Sequence, residues 1–290
     1  MSETRVVAEG LYFGEGPRWR DGRLWFSDFY DHAVKTLSPD GEVRIEHSFE
    51  DQPSGLGWLP DGRLLVVSMK RLQVLRQEGD GFVVHADLSE YSRFMCNDMV
   101  VDGQGRAWVG NFGLDLDGEI RRRGAEAVLS DFPTTNLARV DADGSVHCAS
   151  PGMAFPNGTV ITPDGSTLII AESLGMRLSA FDIAADGSLQ NRRVWAQLDG
   201  RAPDGICLDA EGNGWGANAL APECVLVAPG GEILRSEETS RNCYACMLGG
   251  TDERELSMVT AEGSDHEVAT RERSGRIESI TADSPRAGWP

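Results

Sequence analysis

The chain has 290 residues, of which 40% are hydrophobic and 25% are charged, a composition typical of a globular protein. A chain of this length buries a sizeable core without disulfides or a structural metal. Its 46 acidic and 27 basic residues give a net charge of −19, which argues against nucleic-acid binding and disfavours an anionic membrane as partner.

The opening segment, MSETRVVAEGLYFGEGP, lacks the basic stretch followed by an apolar stretch that marks a secretory signal. No apolar run approaches the roughly 20 residues that cross a bilayer. We therefore expect a cytoplasmic protein with no membrane partner. In that reducing compartment, we expect the six cysteines, including Cys243 and Cys246 of the CYAC segment, to be small core residues rather than a metal or redox site.

Six similar segments follow one another along the chain, each a short apolar strand, a turn and a second apolar strand. In chain order they are EGPRWRDGRLWFSD, SGLGWLPDGRLLVVS, NDMVVDGQGRAWVGN, NGTVITPDGSTLIIAE, DGICLDAEGNGWGAN and the degenerate ACMLGGTDERELSMVT. Their turn positions, spaced by about 40 to 60 residues, are Gly22, Gly62, Gly105, Gly165, Gly212 and Glu253. Such a period of short strands and turn glycines is typical of β-propeller blades.

Further strand-like runs between these hairpins, such as AVKTLSPDGEVRIEH, supply two outer strands for each blade. The sequence thus predicts an all-β fold: a six-bladed β-propeller with four-stranded blades, forming a single domain over residues 1–290. The best helical pattern, GEIRRRGAEAVLSD at residues 118–131, lies within an insertion over residues 114–135. This insertion is either a lid over the channel mouth, which we favour, or a tolerated surface loop.

One register of the hairpins selects a polar residue from most of the blades. Counting back eight residues from the turn, or seven in the first hairpin, selects Glu15, Ser54, Asn97, Asn157, Asp204 and Ala245. Equivalent inner-strand positions of a propeller form a ring around its channel. Local turn chemistry explains any one of these residues alone, but two carboxylates and two amides together favour a hard cation. We therefore predict a metal in the central channel, held by Glu15, Asn97, Asn157 and Asp204.

The predicted donor set contains oxygen atoms only, which suits one divalent metal ion, with Ca²⁺ preferred and Mg²⁺, Mn²⁺ or Zn²⁺ as alternatives. Histidine is not expected to contribute. All five histidines fall outside the register, and we expect them at the surface or in turns. They are His32, His47, His85, His147 and His266.

Three motifs, GEGPRW, PNGTVITPDGSTLIIAES and PDGICLDAEGNGW, resemble the senescence marker protein/gluconolactonase/luciferin-regenerating enzyme family over essentially the whole chain. The resemblance implies a six-bladed propeller with one catalytic divalent metal in its channel. It implies that Glu15, Asn157 and Asp204 are metal ligands. It also implies that Asn97 coordinates the metal or lies beside it at the substrate, and that Asp204 is the general base.

The chain departs from this family at one substrate position. Sugar lactonases of the family resemble RxND, with an arginine two residues ahead of the asparagine, whereas Met95 stands there in SRFMCND. We predict that Met95, Phe112 and Phe155 contact the substrate, and that Phe94 and Met153 add to an apolar pore mouth. Ordinary packing within the blades is the alternative for each of these side chains. The predicted substrate is a small-molecule lactone, less polar than a hexonolactone.

The predicted function is that of a divalent-metal-dependent, lactonase-type hydrolase. The cation would polarise the lactone carbonyl, while Asp204 takes a proton from the attacking water or orients that water. Hydrolysis of another ester or of a phosphotriester at the same cation is one alternative. A non-catalytic propeller that serves as a binding module is another, and metal-free condensation of the strictosidine synthase type is a third. The intact set of two carboxylates and two amides argues against the last two.

Overall fold

A computed structural model of the protein describes residues 4–290 and contains six antiparallel sheets, which form the blades of a propeller. This confirms the predicted fold class. In most of the sheets the strands follow chain order outward from the central channel, and every blade begins with an inner strand at that channel. The chain therefore brings the first strand of each blade to one common axis.

The first half of the chain contains three blades and one strand that precedes them. Strand β1 (Arg5–Leu11) precedes the first complete blade. Blade 1 comprises β2 (Gly14–Arg20), β3 (Arg23–Asp28), a 3₁₀ helix (Phe29–Asp31), β4 (Ala33–Leu37) and β5 (Val43–Ser48). Blade 2 comprises β6 (Pro53–Trp58), β7 (Leu64–Ser68), β8 (Gln73–Glu78) and β9 (Gly81–Asp87). Blade 3 comprises β10 (Cys96–Val101), β11 (Ala107–Asn111), helices α1 (Leu116–Arg123) and α2 (Ala125–Ser130), β12 (Thr135–Val140) and β13 (Val146–Met153).

The second half contains the other three blades. Blade 4 comprises β14 (Pro156–Ile161), β15 (Thr167–Glu172), β16 (Arg177–Ile183) and β17 (Leu189–Gln197). Blade 5 comprises β18 (Pro203–Asp209), β19 (Gly214–Asn218), β20 (Glu223–Val227) and β21 (Ile233–Glu238). Blade 6 comprises β22 (Asn242–Gly249), β23 (Glu255–Ala261), helix α3 (His266–Glu272) and β24 (Gly275–Thr281), and it is followed by β25 (Arg286–Ala287).

The inner hairpin of every blade turns where the sequence predicts. The backbone φ angle is positive at all six predicted turn positions, which are Gly22, Gly62, Gly105, Gly165, Gly212 and Glu253. Glycine adopts this left-handed conformation without the steric penalty of a side chain. Glu253 adopts it with φ at 59°, so the degenerate sixth repeat keeps the geometry of the other five.

The strands become more exposed from the channel to the rim. In blade 4 every residue of inner strand β14 is buried, whereas most residues of outer strand β17 are not. Apolar side chains pack mainly between consecutive blades, for example Val34 of blade 1 with Leu56 of blade 2, and Trp108 of blade 3 with Ile170 of blade 4. The inner strands thus lie between two packed faces, which holds their channel ends in place.

The circle of six blades is closed by a strand that the repeat analysis does not assign to any blade. Strand β1 pairs antiparallel with β24, so blade 6 combines three strands from the end of the chain with one from its beginning. Ala8 and Leu11 of β1 are buried in the core that joins blades 5, 6 and 1. The short strand β25 pairs with β18 as a fifth strand of blade 5.

The helical pattern predicted at residues 118–131 corresponds to two short helices that are separated at Gly124, whose φ is 84°. Helix α3 has no counterpart in the predicted elements. Across residues 4–290 no helix is long and apolar enough to cross a membrane.

Most of the cysteines are buried, as predicted for small core residues. Cys96, Cys207, Cys224, Cys243 and Cys246 are buried, and Cys148 is exposed. The sulfur atoms of Cys207 and Cys246 lie 4.0 Å apart within the apolar core that joins blades 5, 6 and 1.

Candidate functional site

A cavity of about 170 Å³ lies at the channel ends of the inner strands. Five of the six register positions line it, each from the first strand of a different blade: Glu15, Ser54, Asn97, Asn157 and Asp204. The sixth, Ala245, is fully buried, and its neighbour Tyr244 lines the cavity instead. The predicted ligand set and the predicted substrate residues Met95, Phe112 and Phe155 are therefore brought together in one place.

Two carboxylates of this ring are buried in a way that disfavours their charge. Burial raises the pKa of Glu15 well above its ordinary value, and the nearby charges of Asp204 and Asp98 raise it further. Burial likewise raises the pKa of Asp204, with Asp98 adding to the effect and the Asn157 amide opposing it. Among the described residues, no lysine, arginine or histidine side chain lines the cavity to balance these acids.

Several polar atoms of the ring have no protein partner. Asp204 Oδ1 and both side-chain amide atoms of Asn97 are buried without a hydrogen bond to any described residue. Such groups are rare in native proteins, since each lost hydrogen bond is costly. The amide nitrogen of Asn157 donates to Ser173 Oγ at 3.2 Å, and Ser173 Oγ donates in turn to the Pro203 carbonyl oxygen at 2.7 Å. This chain of bonds orients the Asn157 amide.

The donor set has the composition that hard divalent cations bind. Glu15 and Asp204 supply carboxylate oxygens, and Asn97 and Asn157 supply amide oxygens. Residues 4–290 contain no group of three or more His, Cys, Asp or Glu side chains arranged to hold a metal. Coordination in this channel would therefore depend on the amide oxygens as well as the two acids. A cation would neutralise the repelling acids and satisfy the unpartnered oxygens, so the residues present fit such an ion.

Close packing of neighbouring inner strands explains the glycines that follow the polar residues. A Cβ atom at Gly55 would overlap the backbone nitrogen of Met99 on β10, and one at Gly158 would overlap the Asp204 carbonyl oxygen on β18. These glycines therefore allow adjacent blades to approach at the channel, and the polar residues before them are not explained by turn chemistry. The approach brings side chains from different blades within reach of one point.

A buried ion pair beside the ring was not predicted. Asp98, which lines the cavity, accepts a hydrogen bond from the Arg18 guanidinium at 2.6 Å, and both side chains are buried. Arg18 also donates to three backbone carbonyl oxygens, those of Pro17, Leu56 and Met99. The available signal was a charged residue within a strand expected to be buried, since such a residue needs a partner. The partner, 80 positions away, could not be named from the sequence.

The predicted aromatic and methionine residues divide into two groups. Met95, Phe112 and Phe155 line the cavity, and the rings of Phe112 and Phe155 lie 4.5 Å apart. Phe155 has a positive φ of 60°, which is uncommon for a residue with a side chain. Phe94 packs against Phe112 without lining the cavity, and Met153 is fully buried in the core between blades 3 and 4. The prediction that Met153 contributes to the pore mouth is therefore wrong, and the corresponding role of Phe94 stays a prediction.

The insertion in blade 3 forms part of the cavity roof. Helix α1 contributes Leu116, Asp117 and Ile120, and helix α2 contributes Ala125, Val128 and Leu129. The insertion is tied to blade 6 by an ion pair of 3.0 Å between Arg121 and Asp265, the residue that precedes α3. On the other side of the roof, the Tyr30 hydroxyl donates to the Ser264 carbonyl oxygen at 2.6 Å. The interpretation of the insertion as a lid agrees with this placement.

None of the five histidines lines the cavity. The expectation that all of them lie at the surface or in turns is wrong for His85, which is buried on strand β9.

Comparison with known proteins gives a consistent picture. A family model described as SMP-30/Gluconolactonase/LRE-like region matches residues 13–262. Regucalcin from Xenopus laevis is 26% identical, over 95% of this chain and 93% of its own length. Pentonolactonase XacC from Haloferax volcanii is 27% identical, over 91% of this chain and 86% of its own.

Solved structures match the fold. The crystal structure of a calcium-binding protein, regucalcin, from Agrobacterium tumefaciens superposes with a TM-score of 0.79 at 19% identity. The match covers 100% of this chain and 97% of that one.

Proposed function

The chain belongs to the SMP-30/gluconolactonase/LRE-like family, and we propose that it is a divalent-metal-dependent hydrolase that opens a lactone ring. The observation that carries the proposal is the pair of buried acids, Glu15 and Asp204, facing one cavity with an unpartnered Asn97 amide and no cationic side chain among the described lining residues. Relatives named as lactonases, such as the pentonolactonase of Haloferax volcanii, support the reaction class.

Four residues would hold the cation: Glu15, Asn157 and Asp204 through their side-chain oxygens, with Asn97 either coordinating or beside it. When bound, a divalent cation would polarise the lactone carbonyl and stabilise the negative charge that develops on its oxygen. Ca²⁺ is the preferred ion, because carboxylate and amide oxygens are the ligands that it takes in proteins. The name of a calcium-binding relative supports the same choice.

Asp204 is the proposed catalytic residue. Asp204 lines the cavity and its Oδ1 has no hydrogen-bond partner among the described residues, so this carboxylate can accept the proton of a water whose oxygen attacks the lactone carbonyl carbon. The ring C–O bond then breaks, and the proton passes to the departing alkoxide, which leaves a hydroxy acid. A carboxylate that also binds a cation is a weaker base, so Asp204 serves either as the base or as the group that orients the water.

Asn97 is proposed to hold the substrate. Asn97 lines the cavity and its side-chain nitrogen has no hydrogen-bond partner in the described structure, so this amide can donate to a lactone oxygen. The Ser173 hydroxyl keeps the neighbouring Asn157 amide in one orientation. The apolar residues around these groups favour a lactone that is less polar than a hexonolactone.

The test is acid release from a panel of lactones, followed with a pH indicator before and after chelation. We expect activity to disappear with the chelator and return with one added cation. Asp204→Asn should lower kcat/KM by about 10²- to 10⁴-fold, the usual contribution of a general base. The matched control is Asp199→Asn, an exposed carboxylate in the loop before β18, which should leave activity unchanged. Full cation-dependent activity of Asp204→Asn would refute the role of Asp204, and hydrolysis of a phosphotriester alone would refute the lactone.

A further inference from the structure

The cavity changes character between the ring of inner-strand residues and its roof. Around the ring lie five apolar side chains that we call the collar, from segments that flank the inner hairpins: Phe13, Met69, Met95, Phe112 and Phe155. Above the collar lie four apolar side chains of α1 and α2, which we call the lid face: Leu116, Ile120, Val128 and Leu129. Phe112 packs against both groups and joins them into one apolar wall.

Polar groups are concentrated at the ring. Most polar lining residues belong to the inner strands or adjoin them, namely Glu15, Gln52, Ser54, Asn97, Asp98, Asn157, Ser173, Asp204 and Tyr244. Of the polar residues nearer the roof, Tyr30 already donates its hydroxyl to Ser264. Asp117 is an acid whose pKa is raised by burial and by the charge of Asp265. Few groups are thus left to bind hydroxyls on a substrate within the collar.

This distribution selects against two kinds of lactone. A sugar lactone carries hydroxyls around its ring, and each one placed against the collar without a partner loses its hydrogen bonds to water. An anionic substituent within the collar would meet Asp117, and no cationic side chain among the described lining residues is available to bind it. A neutral lactone with an apolar substituent meets neither penalty.

Met95 is one of the collar residues on which the choice between apolar and hydroxylated lactones depends. Its backbone carbonyl oxygen accepts a hydrogen bond from Phe112 N–H at 2.9 Å, which places the two collar side chains beside each other. Its side chain lines the cavity two residues before Asn97. A thioether is apolar and conformationally adaptable, so it contacts an alkyl group well and offers little to a hydroxyl.

We propose that the substrate is an uncharged lactone with an alkyl or aryl substituent, and that Met95 is a specificity-determining residue. The lactone carbonyl lies at Asn97 and Asp204, and the substituent lies in the collar beneath α1 and α2. This inference rests on the proposed lactone hydrolysis and names its substrate class.

The first test measures kcat/KM for δ-lactones with unbranched alkyl substituents of increasing length, together with δ-gluconolactone. Each added methylene should raise kcat/KM about fourfold until the collar is filled, from the usual burial energy of a methylene. δ-Gluconolactone should be poorer than the best alkyl lactone by about 100-fold or more, as expected when several hydroxyls lose partners. A flat alkyl series, or a faster δ-gluconolactone, would overturn the proposal.

Two substitutions of Met95 test whether this residue determines the substrate preference. Met95→Arg should abolish the dependence on alkyl length and narrow the gap to δ-gluconolactone, because it adds hydrogen-bond donors to the collar. Met95→Leu keeps an apolar side chain and should keep the dependence. The matched control is Val194→Arg, at an exposed site on outer strand β17, which should behave like the unchanged protein. An unchanged chain-length dependence in Met95→Arg would remove Met95 from specificity.

A binding measurement separates failure of this inference from failure of the proposed function. Calorimetry with unreactive δ-lactams, alkyl-substituted or polyhydroxylated, reports the ligand class without any turnover. Tight binding of alkyl lactams without opening of any lactone would overturn the proposed function and support the apolar ligand class. Opening of sugar lactones together with preferred binding of polyhydroxylated lactams would overturn the ligand class and leave the lactone hydrolase in place.

Discussion

At the scale of single residues, the channel is defined by two acids that repel each other. Burial raises the pKa of both Glu15 and Asp204 well above ordinary values; the charge of Asp204 raises the pKa of Glu15 further, and the charge of Asp98 adds to the shift of Asp204. In the absence of a cation, the folded protein therefore holds protons that the unfolded chain has already released. The free energy of unfolding should then fall as pH rises above the unfolded pKa of about 4. An added divalent cation should reverse this loss.

Asp204→Asn removes one of the two charges and tests this reasoning through stability alone. At pH 7 without a cation, the variant should be more stable by about 1 to 3 kcal/mol, the usual penalty of a buried group that lacks its partner. It should also lose most of the stabilisation by Ca²⁺. Urea unfolding with and without chelator measures both effects, with Asp199→Asn as the control. A cation-free variant that is less stable than the unchanged protein would contradict the repulsion.

Glu172 shows the opposite behaviour of a buried acid. Burial alone would raise its pKa, but hydrogen bonds from Arg177, Ser179 and the Ala154 N–H, together with the charge of Arg192, lower it to about 2. This carboxylate therefore stabilises the fold above its unfolded pKa of about 4, and the contribution is lost as pH falls towards 2.

Glu172→Gln should lower the free energy of unfolding by about 2 to 3 kcal/mol at pH 7. This is less than for a fully buried pair, because both arginines reach solvent. The difference between the variant and the unchanged protein should shrink as pH falls from 5 to about 2. Urea midpoints across this range measure it, with the exposed Glu90→Gln as a control that should differ little. A constant difference down to pH 2 would rule out the depressed pKa.

At the scale of elements, the important feature is the approach of neighbouring inner strands at the channel. Gly158→Ala would place a methyl group against the Asp204 carbonyl oxygen and Gly205 of β18. We expect the free energy of unfolding to fall by about 1 to 3 kcal/mol, which is typical of overpacking. We also expect weaker cation binding, because the added methyl group displaces Asp204.

Gly165→Ala in the turn of the same hairpin is the matched control for this prediction. A Cβ there meets no neighbouring atom within 4 Å, although its φ of 71° strains a side-chain-bearing residue. The control should lower stability by about 1 kcal/mol and leave cation affinity unchanged. Titration calorimetry with Ca²⁺ and urea unfolding separate the two variants. Equal cation affinities would show that the spacing of β14 and β18 does not position Asp204.

The elements also show which parts of the site a sequence can predict. The strand–turn–strand repeat has a strong local signal, so the hairpin turns and the register positions Glu15, Asn97, Asn157 and Asp204 were assigned to equivalent places. The Arg18–Asp98 pair joins strands from different blades and has no local signal. The left-handed conformation of Phe155, which shapes the cavity wall, is likewise unreadable, since phenylalanine rarely adopts it.

At the scale of the whole molecule, closure of the propeller depends on the pairing of β1 with β24. The repeat period predicts six blades, but it does not predict that the last blade takes a strand from the beginning of the chain. The segment RVVAEGL precedes the first hairpin, and its partner lies more than 260 residues away. Such long-range pairing is decided by the closure of the ring and not by the local sequence.

A pair of substitutions on β1 tests the importance of this closure. Leu11 is buried in the core that joins blades 5, 6 and 1, whereas Val6 on the same strand is 48% exposed. Leu11→Ala should lower the free energy of unfolding by about 2 to 5 kcal/mol, and Val6→Ala by less than about 0.5 kcal/mol. Urea unfolding measures both. Similar small losses would mean that β1 contributes little to holding the ring together.

The most direct measurement of the proposed cation site is anomalous diffraction from crystals soaked with Mn²⁺. We expect one strong peak in the channel, within about 2.0 to 2.6 Å of side-chain oxygens of Glu15, Asn157 and Asp204. The peak should disappear in Asp204→Asn crystals and remain in those of Asp199→Asn. A channel without a peak at saturating Mn²⁺, or a peak held by other residues, would contradict the metal-dependent hydrolase.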